Sequence, residues 1–426
     1  MADLLALSSR IIDNGIVDHE SGPVNRITNE LSEVADGLAM VESFSHSVVL
    51  DAGEGLVAFD ASHARTGEAV VGAIQGWSST PVSHVVYTHG HADHVGGSPA
   101  FGAAYGDIEV VGHRNVATRF DRYRYTNDWN VRINARQFGG VRGDFGMGGQ
   151  TDFIPVDTRM PSHVVDDSDI LTVGDSRIEL HHARGETDDH LWAWIPDRKW
   201  VFVGDFVIWN FPNAGNPQKV QRYPIEWAAA LREMVARGPE LLLPAHGLPV
   251  EGKERIAGML TDIADALDGL VDEVVARMNA GEVLDTIVQQ VRVPAELLEK
   301  PYLRPMYDEP EFVVRNIWRQ FGGWWDGVPS RLKPASDEAL AVELSTLAGG
   351  AHRMIERAST VAESGDFRLA CHLADIAGAA APDDQGVHRE RAVIYRNRRK
   401  QETSLMSKGI FAGAARESEA IADPDA

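Results

Sequence analysis

The sequence has almost no cysteine, too few basic residues to balance its acidic ones, and no apolar run of membrane-spanning length. Its single cysteine, Cys371, excludes an intrachain disulfide and a metal site built mainly from sulfur. Forty lysine and arginine residues against 63 aspartate and glutamate residues give a formal net charge of −23, which argues against nucleic acid as a partner. Residues 1–10 lack the basic start and apolar core of a signal peptide, and no stretch approaches the roughly 20 apolar residues of a membrane span. We therefore expect a cytoplasmic protein that does not cross a membrane.

The pattern of apolar residues divides the chain into two regions. Up to about residue 250, short β-type runs alternate with helical stretches, which predicts an α/β sandwich with helices outside. Beyond it, apolar residues recur every three or four positions, which predicts helices. We predict a catalytic domain over residues 1–255, a helical domain over 256–417 and a flexible tail over 418–426. The Arg- and Gly-rich residues 123–152 show no clean period and predict a long loop.

The strongest local signal is a dense cluster of metal-ligating residues. The sequence Thr-His-Gly-His-Ala-Asp-His-Val-Gly-Gly places His89, His91, Asp93 and His94 within six positions, directly behind an apolar strand. Imidazole nitrogens and carboxylate oxygens are the donors that divalent transition metals bind. Residues 89 and 91 point the same way in an extended chain, whereas 93 and 94 belong to the turn that follows. The cluster can therefore serve two neighbouring metal ions.

Three later places offer further ligands at the ends of predicted strands. They are Glu186 in Gly-Glu-Thr, Asp205 after Val-Gly, and His246 in Pro-Ala-His-Gly. His181, His182 and His190 are alternative donors for the place of Glu186.

The order of these motifs resembles the metallo-β-lactamase superfamily over roughly residues 40–250. The resemblance implies an αββα sandwich in which His89, His91 and a third ligand hold one metal ion. Asp93, His94 and His246 would hold the second, and Asp205 would bridge the two. It also implies two zinc ions per subunit, with Asp93 and Asp205 orienting the attacking water.

Two features are similar to the alkyl sulfatase branch of that superfamily. Most members have His as the third ligand, whereas Glu186 in this chain matches the Glu of the alkyl sulfatases. Residues 315–332, with Gly-Trp-Trp-Asp-Gly-Val-Pro, resemble the segment that leads into the alkyl sulfatase dimerisation domain, which implies a homodimer. Two features depart from the branch: Asp205 replaces a Glu, and Tyr307-Asp308 stands where a His-Gly pair is expected. Tyr307 could still donate a proton.

The resemblance predicts a binuclear hydrolase of sulfate esters acting on an anionic or amphiphilic small molecule. Asn134 and Arg136 resemble a sulfatase segment that carries Asn and Arg, and Arg222 precedes Trp227 as a sulfate-contacting Arg does there. A planar guanidinium suits either sulfate or carboxylate. The alternatives are a hydrolase of lactones, carboxylic esters or amides on the same scaffold, an iron-dependent oxidoreductase of the same fold, and a binding module without catalysis.

Overall fold

The computed structural model describes residues 2–15, 25–138 and 152–425, which separate into two compact units. The first unit contains the described residues up to 130 together with 152–323, and the second contains 131–138 and 324–425. The first unit therefore extends past the boundary at residue 255 suggested by the sequence, because the helices between 253 and 322 share its apolar core.

A seven-stranded sheet in the first unit follows the order of the chain. Its strands are β1 Leu31–Ala35, β2 Leu38–Val41, β3 Ser47–Asp51, β4 Leu56–Phe59, β5 Val82–Val86, β6 Glu109–His113 and β7 His163–Val165. Strands β1 to β4 are antiparallel neighbours, whereas β4 to β7 are parallel. The change occurs because a tight turn at Gly53, with φ 87°, joins β3 to β4, while longer connections that include helices join the parallel strands.

A second sheet of six strands packs against the first. Its strands are β8 Ser168–Val173, β9 Ser176–His182, β10 Leu191–Ile195, β11 Trp200–Gly204, β12 Leu241–Pro244 and β13 Val250–Glu251, in that spatial order. Only β11 and β12 are parallel neighbours among these described strands. The rings of Phe59 on β4 and Phe202 on β11 stack with centroids 3.9 Å apart. This contact lies in the core between the sheets.

The helices up to residue 322 belong to the first unit, apart from residues 131–138. They are α1 Leu4–Asn14, α2 Gly67–Trp77, α3 Ala92–Val95, α4 Ser98–Tyr105, α5 Asn115–Tyr125, α6 Asn127–Phe138, α7 Pro224–Arg237, α8 Lys253–Asn279, α9 Leu284–Gln290, α10 Ala295–Leu298 and α11 Pro310–Gly322. Helix α2 packs on β1 and β2, and α8 packs on β12 and β13. Strands β10, β11 and β12 are buried along their whole length, as expected for strands covered on both faces. The predicted αββα sandwich is confirmed.

The loop predicted for residues 123–152 is wrong for its first part. Residues up to 138 belong to α5 and α6, and residues 139–151 lie outside the described chain. Val116, Phe120 and Tyr123 are buried at the spacing of one helical face. The many arginines and the glycines that follow obscured this period in the sequence.

The second unit is helical, as predicted for the C-terminal region. Its helices are α12 Pro329–Leu332, α13 Asp337–Leu347, α14 Ala351–Glu363, α15 Phe367–Ala380, α16 Gln385–Gln401 and α17 Leu405–Ala422. Asp366 and Asp384 cap α15 and α16 by accepting backbone N–H bonds at 3.0 and 2.9 Å. Residues 418–422, predicted as part of a flexible tail, form the last turn of α17, because Ser418 is buried against His388 and Arg391. Within the described ranges, no helix combines the length and apolarity needed to cross a membrane.

Candidate metal centre

The loop after β5 carries the densest part of the candidate site. Thr88 donates two hydrogen bonds to the buried carboxylate of Asp60, one from its backbone N–H and one from its hydroxyl, both at 2.7 Å. These bonds fix the chain where the strand ends. Helix α3 then begins directly after His91, so that the turn places Asp93 and His94 beside the residues that precede it.

All seven ligands predicted from the sequence come together at this point. Ligand atoms within 4.8 Å of one another define three groups. These are His89 with His94 and Asp205, Asp93 with His94 and His246, and His91 with Glu186 and Asp205. Asp205, which follows β11, and His94 each belong to two groups. Asp205, predicted to bridge two metal ions, thus lies near both His89 and His91, and Glu186, predicted as the third ligand, lies in the same group as His91.

Two histidine–carboxylate contacts in the cluster are longer than an ordinary hydrogen bond. His94 Nε2 lies 3.4 Å from Asp205 Oδ2, and His246 Nε2 lies 3.4 Å from Asp93 Oδ2. His94 Nε2 and Asp205 Oδ1 are buried and make no hydrogen bond to the described residues. Buried polar atoms are normally satisfied. Imidazole and carboxylate donors in this arrangement fit divalent cations that would supply the missing partner.

Burial and neighbouring charges set the protonation of three of the four candidate histidines. Burial lowers the pKa of His89 and of His91 well below the usual value, with nearby positive groups adding to the effect. Both are therefore neutral, the form that ligates metals. Burial also opposes charge on His94, but Asp205 and other carboxylates raise its pKa well above the usual value. The surrounding carboxylates thus favour a positive charge near His94.

Asp60 orients His94 and was missed from the sequence. Its Oδ2 lies 2.8 Å from His94 Nδ1, which leaves Nε2 directed at Asp205 and Asp93. Carboxylates commonly hold metal-ligating histidines in this way. The position of Asp60 could have suggested a role at the site, because Asp60 directly follows β4 just as Asp205 follows β11.

Two side chains, Asn213 and Arg222, hold Glu186, which was predicted as the third ligand. Arg222 Nη1 lies 2.7 Å from the backbone oxygen of Glu186 and 2.6 Å from its Oε1, and Asn213 Nδ2 donates to the same Oε1 at 2.5 Å. Burial raises the pKa of Glu186, while Arg222 acts in the opposite direction. Arg222 is buried and faces this carboxylate, a contact that its predicted role as a substrate ligand did not anticipate. Asn213 was not identified from the sequence.

The alternative histidine donors are held in other contacts. The ring of His181 stacks on Trp192 at 4.3 Å, and the ring of His182 stacks on His113 at 3.8 Å. His190 Nε2 accepts a hydrogen bond from the backbone N–H of Asp205 at 3.2 Å, which helps to place that carboxylate. None of these three histidines belongs to the groups of metal-ligating atoms found among the described residues.

The remaining predicted site residues belong to different units: Tyr307 to the first, and Asn134 and Arg136 to the second. Tyr307 is half-buried, and burial together with the charges of Glu186 and Asp93 raises its pKa well above the usual value, so the phenol keeps its proton. Asn134 and Arg136 belong to the second unit, where Arg136 lies beside Gly413 of α17. Their contact with substrate stays a prediction.

Comparison with known families and proteins agrees with this organisation. The metallo-beta-lactamase superfamily profile matches residues 41–246, and the alkyl sulfatase dimerisation profile matches residues 283–420. A linear primary-alkylsulfatase from Pseudomonas sp. (strain ATCC 19151) is 26% identical over 363 residues, which cover 79% of this chain and 67% of that protein. The alkyl/aryl-sulfatase BDS1 of Saccharomyces cerevisiae is 23% identical over 308 residues, which cover 68% of this chain and 47% of that protein.

Solved structures show the same fold. The structure of a stereoselective inverting sec-alkylsulfatase from Pseudomonas sp. matches with a TM-score of 0.82 at 21% sequence identity, covering 92% of this chain and 66% of that chain. The chain thus spans about half to two thirds of the length of these relatives. Two family profiles match this chain. One covers the sandwich with its His-Gly-His-Ala-Asp-His loop, and the other covers the helical region that follows. The chain belongs to the metallo-β-lactamase superfamily and carries a C-terminal alkyl sulfatase dimerisation domain.

Proposed function

We propose that this chain hydrolyses sulfate esters of small alkyl alcohols with the help of two zinc ions. The observation that carries the proposal is Glu186, a carboxylate in the third-ligand position, held by Arg222 and Asn213 in a chain whose relatives bear the names of alkylsulfatases. A histidine at that position would indicate the commoner members of the superfamily. The proposed products are an alcohol and sulfate.

The seven ligands would hold the metal ions, and Asp93 and Asp205 among them would also act on the attacking water. A pair of divalent cations supplies a nucleophilic water at neutral pH and offsets negative charge in the transition state. Asp93 and Asp205 accept hydrogen bonds that orient the attacking water. Tyr307, which keeps its proton in the free protein, would donate that proton to the oxygen of the leaving alcohol. Arg222 holds Glu186 in place through its paired contacts.

The proposal is tested by the product released from a panel of substrates. Metal-loaded protein should release sulfate, measured by ion chromatography, from primary or secondary alkyl sulfates, and a chelator should abolish the release. Lactones and carboxylic esters of matched chain length serve as comparison substrates. Ready hydrolysis of these compounds without sulfate release would refute the proposal in favour of the lactone, ester or amide alternative.

Three further proposals concern the metal, the assembly and the location. Zinc is proposed because nitrogen and carboxylate oxygen donors suit it. Iron in the purified protein together with redox activity would indicate an oxidoreductase instead. A homodimer is proposed from the dimerisation domain and is tested by light scattering. Residence in the cytoplasm remains a prediction, to be tested by cell fractionation.

A further inference from the structure

The loop between β2 and β3, residues 42–46, is polar but buried. Glu42, Ser43, Ser45 and His46 each expose 1% or less of their surface. Connecting loops normally run over the protein surface, because the polar groups of a buried loop need partners inside the protein. The partners of these four residues therefore show what the loop is attached to.

The first half of the loop is attached to the chain that precedes β1. Glu42 Oε1 lies 2.5 Å from Arg26 Nε, and the Ser43 hydroxyl donates to Asn29 Oδ1 at 2.8 Å. The Ser62 hydroxyl donates to Ser43 Oγ at 2.8 Å. These contacts hold the loop at its beginning and involve no candidate metal ligand.

The second half of the loop holds the backbone on both sides of His246. The backbone N–H of His46 donates to the carbonyl oxygen of Ala245 at 2.7 Å. The ring Nε2 of His46 lies 2.8 Å from the carbonyl oxygen of Gly247. A carbonyl oxygen only accepts, so Nε2 is the donor. A single residue thus fixes the chain immediately before and immediately after a candidate metal ligand.

The chain after His246 is also confined by a tryptophan. Trp209 Nε1 donates to the carbonyl oxygen of Leu248 at 2.8 Å. Gly247 has a φ of 97°, and a Cβ there would lie 2.3 Å from Trp209 Cδ1. The segment that carries His246 therefore has little freedom to move while these contacts persist.

The orientation of His246 depends on its backbone more than that of His94 does. Asp60 holds the His94 ring through Nδ1. The carboxylates paired with His246 in the described chain are Asp93 and Asp205, and both face its Nε2, the atom that would ligate a metal ion. In the described chain no carboxylate thus holds the His246 ring from its other nitrogen, and the backbone on either side sets the direction of the ring.

We propose that His46 is a positioning residue for His246, and thereby for one of the two metal positions. The ligands of that position are Asp93, His94 and His246. The group formed by His91, Glu186 and Asp205 shares no residue with it. The loop reaches the first of these groups a second time, because the Ser45 hydroxyl lies 3.1 Å from His94 Nδ1. The inference rests on the proposed function in that it needs metal ions at this centre, but it holds whichever ester is hydrolysed.

The test compares four variants of the full-length protein. His46→Leu removes the ring donor and keeps the apolar bulk. His46→Gln restores a donor, because the amide nitrogen of Gln is as many bonds from Cα as Nε2 of His is, whereas the amide nitrogen in His46→Asn is one bond closer to Cα. The matched control is His388→Leu, because His388 is buried in the second unit and lies 3.2 Å from the Ser418 hydroxyl. Thermal unfolding of the metal-free variants establishes that each is folded.

Competition with a chelator measures the affinity of each metal position in the absence of substrate. His46→Leu should weaken one position about 10- to 100-fold, the usual effect of losing a group that orients a ligand, and leave the other position unchanged. His46→Gln should retain most of the affinity, and His46→Asn should lose it as His46→Leu does. His388→Leu should bind both metal ions as the unchanged protein does.

A second background identifies the position that is weakened. Glu186→Ala removes a ligand of the position that His46 does not serve, so the metal ion that remains should be held by Asp93, His94 and His246. Addition of His46→Leu to Glu186→Ala should weaken this remaining metal ion by the same factor as in the single variant. If His46→Leu has no effect in the Glu186→Ala protein, the inference is overturned.

The outcomes also separate a positioning role from a general effect on the fold. Unchanged metal affinities in His46→Leu overturn the inference, and so does an equal loss at both positions or the same loss in His388→Leu. If His46→Leu fails to fold, equal affinities in His46→Gln and His46→Asn overturn it instead.

None of these measurements uses an ester, so the inference and the proposed function can fail separately. Metal affinity that depends on His46, in a protein that releases no sulfate from any ester, supports the inference and refutes the proposed function. Release of sulfate by a protein whose metal affinities are independent of His46 overturns the inference and leaves the proposed function standing.

Discussion

Replacement of Asp60 by Ala should weaken metal binding without removing a metal ligand. The Asp60 carboxylate is buried and accepts three hydrogen bonds, two from Thr88 at 2.7 Å and one from His94 Nδ1 at 2.8 Å. Loss of the carboxylate leaves the Thr88 backbone N–H without its partner. His94 Nδ1 keeps the Ser45 hydroxyl at 3.1 Å, so the His94 ring is held less firmly rather than released. Because His94 belongs to two of the ligand groups, both metal positions should be affected.

The expected magnitude has two parts. A partner that orients a ligating histidine is typically worth about 10- to 100-fold in metal affinity. A buried donor left unsatisfied costs about 1–3 kcal/mol, so loss of the partner of the Thr88 N–H should lower the free energy of unfolding of the metal-free protein by about that much. Asp60→Asn should lose less, because the amide oxygen can still accept one or two of these bonds.

Competition with a metal chelator measures the affinity, and urea denaturation of the metal-free protein measures the free energy of unfolding. Asp169→Ala provides the control, because Asp169 pairs with His163 at 2.6 Å but both side chains are partly exposed. Exposed pairs contribute about 0–1 kcal/mol. If Asp60→Ala binds metal within twofold of the unchanged protein, Asp60 does not position His94 and the reasoning fails.

Three further predictions follow from the site and its surroundings. Glu186→Ala should remove one metal ion and nearly all turnover, as judged by elemental analysis and sulfate release; unchanged metal content would assign the ligand to a neighbouring histidine. Gly204→Ala should lower the melting temperature and disturb the centre, because φ is 52° and a Cβ would lie 2.5 Å from His190 Nε2; calorimetry showing an unchanged melting temperature would contradict this. Burial raises the pKa of Asp308 to about 8. The folded protein therefore keeps a proton on Asp308 that the unfolded chain releases near pH 4. The free energy of unfolding should fall as the pH rises from about 4 to about 8. Asp308→Asn should flatten this fall in denaturation measured between pH 5 and 8, and an unchanged slope would exclude Asp308 as its cause.

The parts of the fold that were predictable are those with a strong local period. The strands β3, β4 and β11 are short apolar runs between turn residues, and α14 and α15, whose apolar residues recur every three or four positions, are joined by a Ser-Gly-Asp turn. Helices α5 and α6 were missed because arginines lie among their apolar residues. One of them, Arg119, is on the buried face of α5, where it pairs with Asp189 at 2.8 Å. Local sequence could not reveal that α8 and α11 join the first unit, since that depends on which apolar surfaces meet.

The amino-acid sequence by itself determined the donor set of this protein. Residue type decides whether an atom can ligate a metal, and the close spacing of His89, His91, Asp93 and His94 leaves little freedom in where these atoms lie. The tertiary structure alone decided what surrounds them. Asp60 reaches His94 from the end of another strand, and Asn213 and Arg222 reach Glu186 from a distant loop. These contacts join residues far apart in the chain, and only packing of the two sheets and the loops at their strand ends brings such residues within hydrogen-bonding distance.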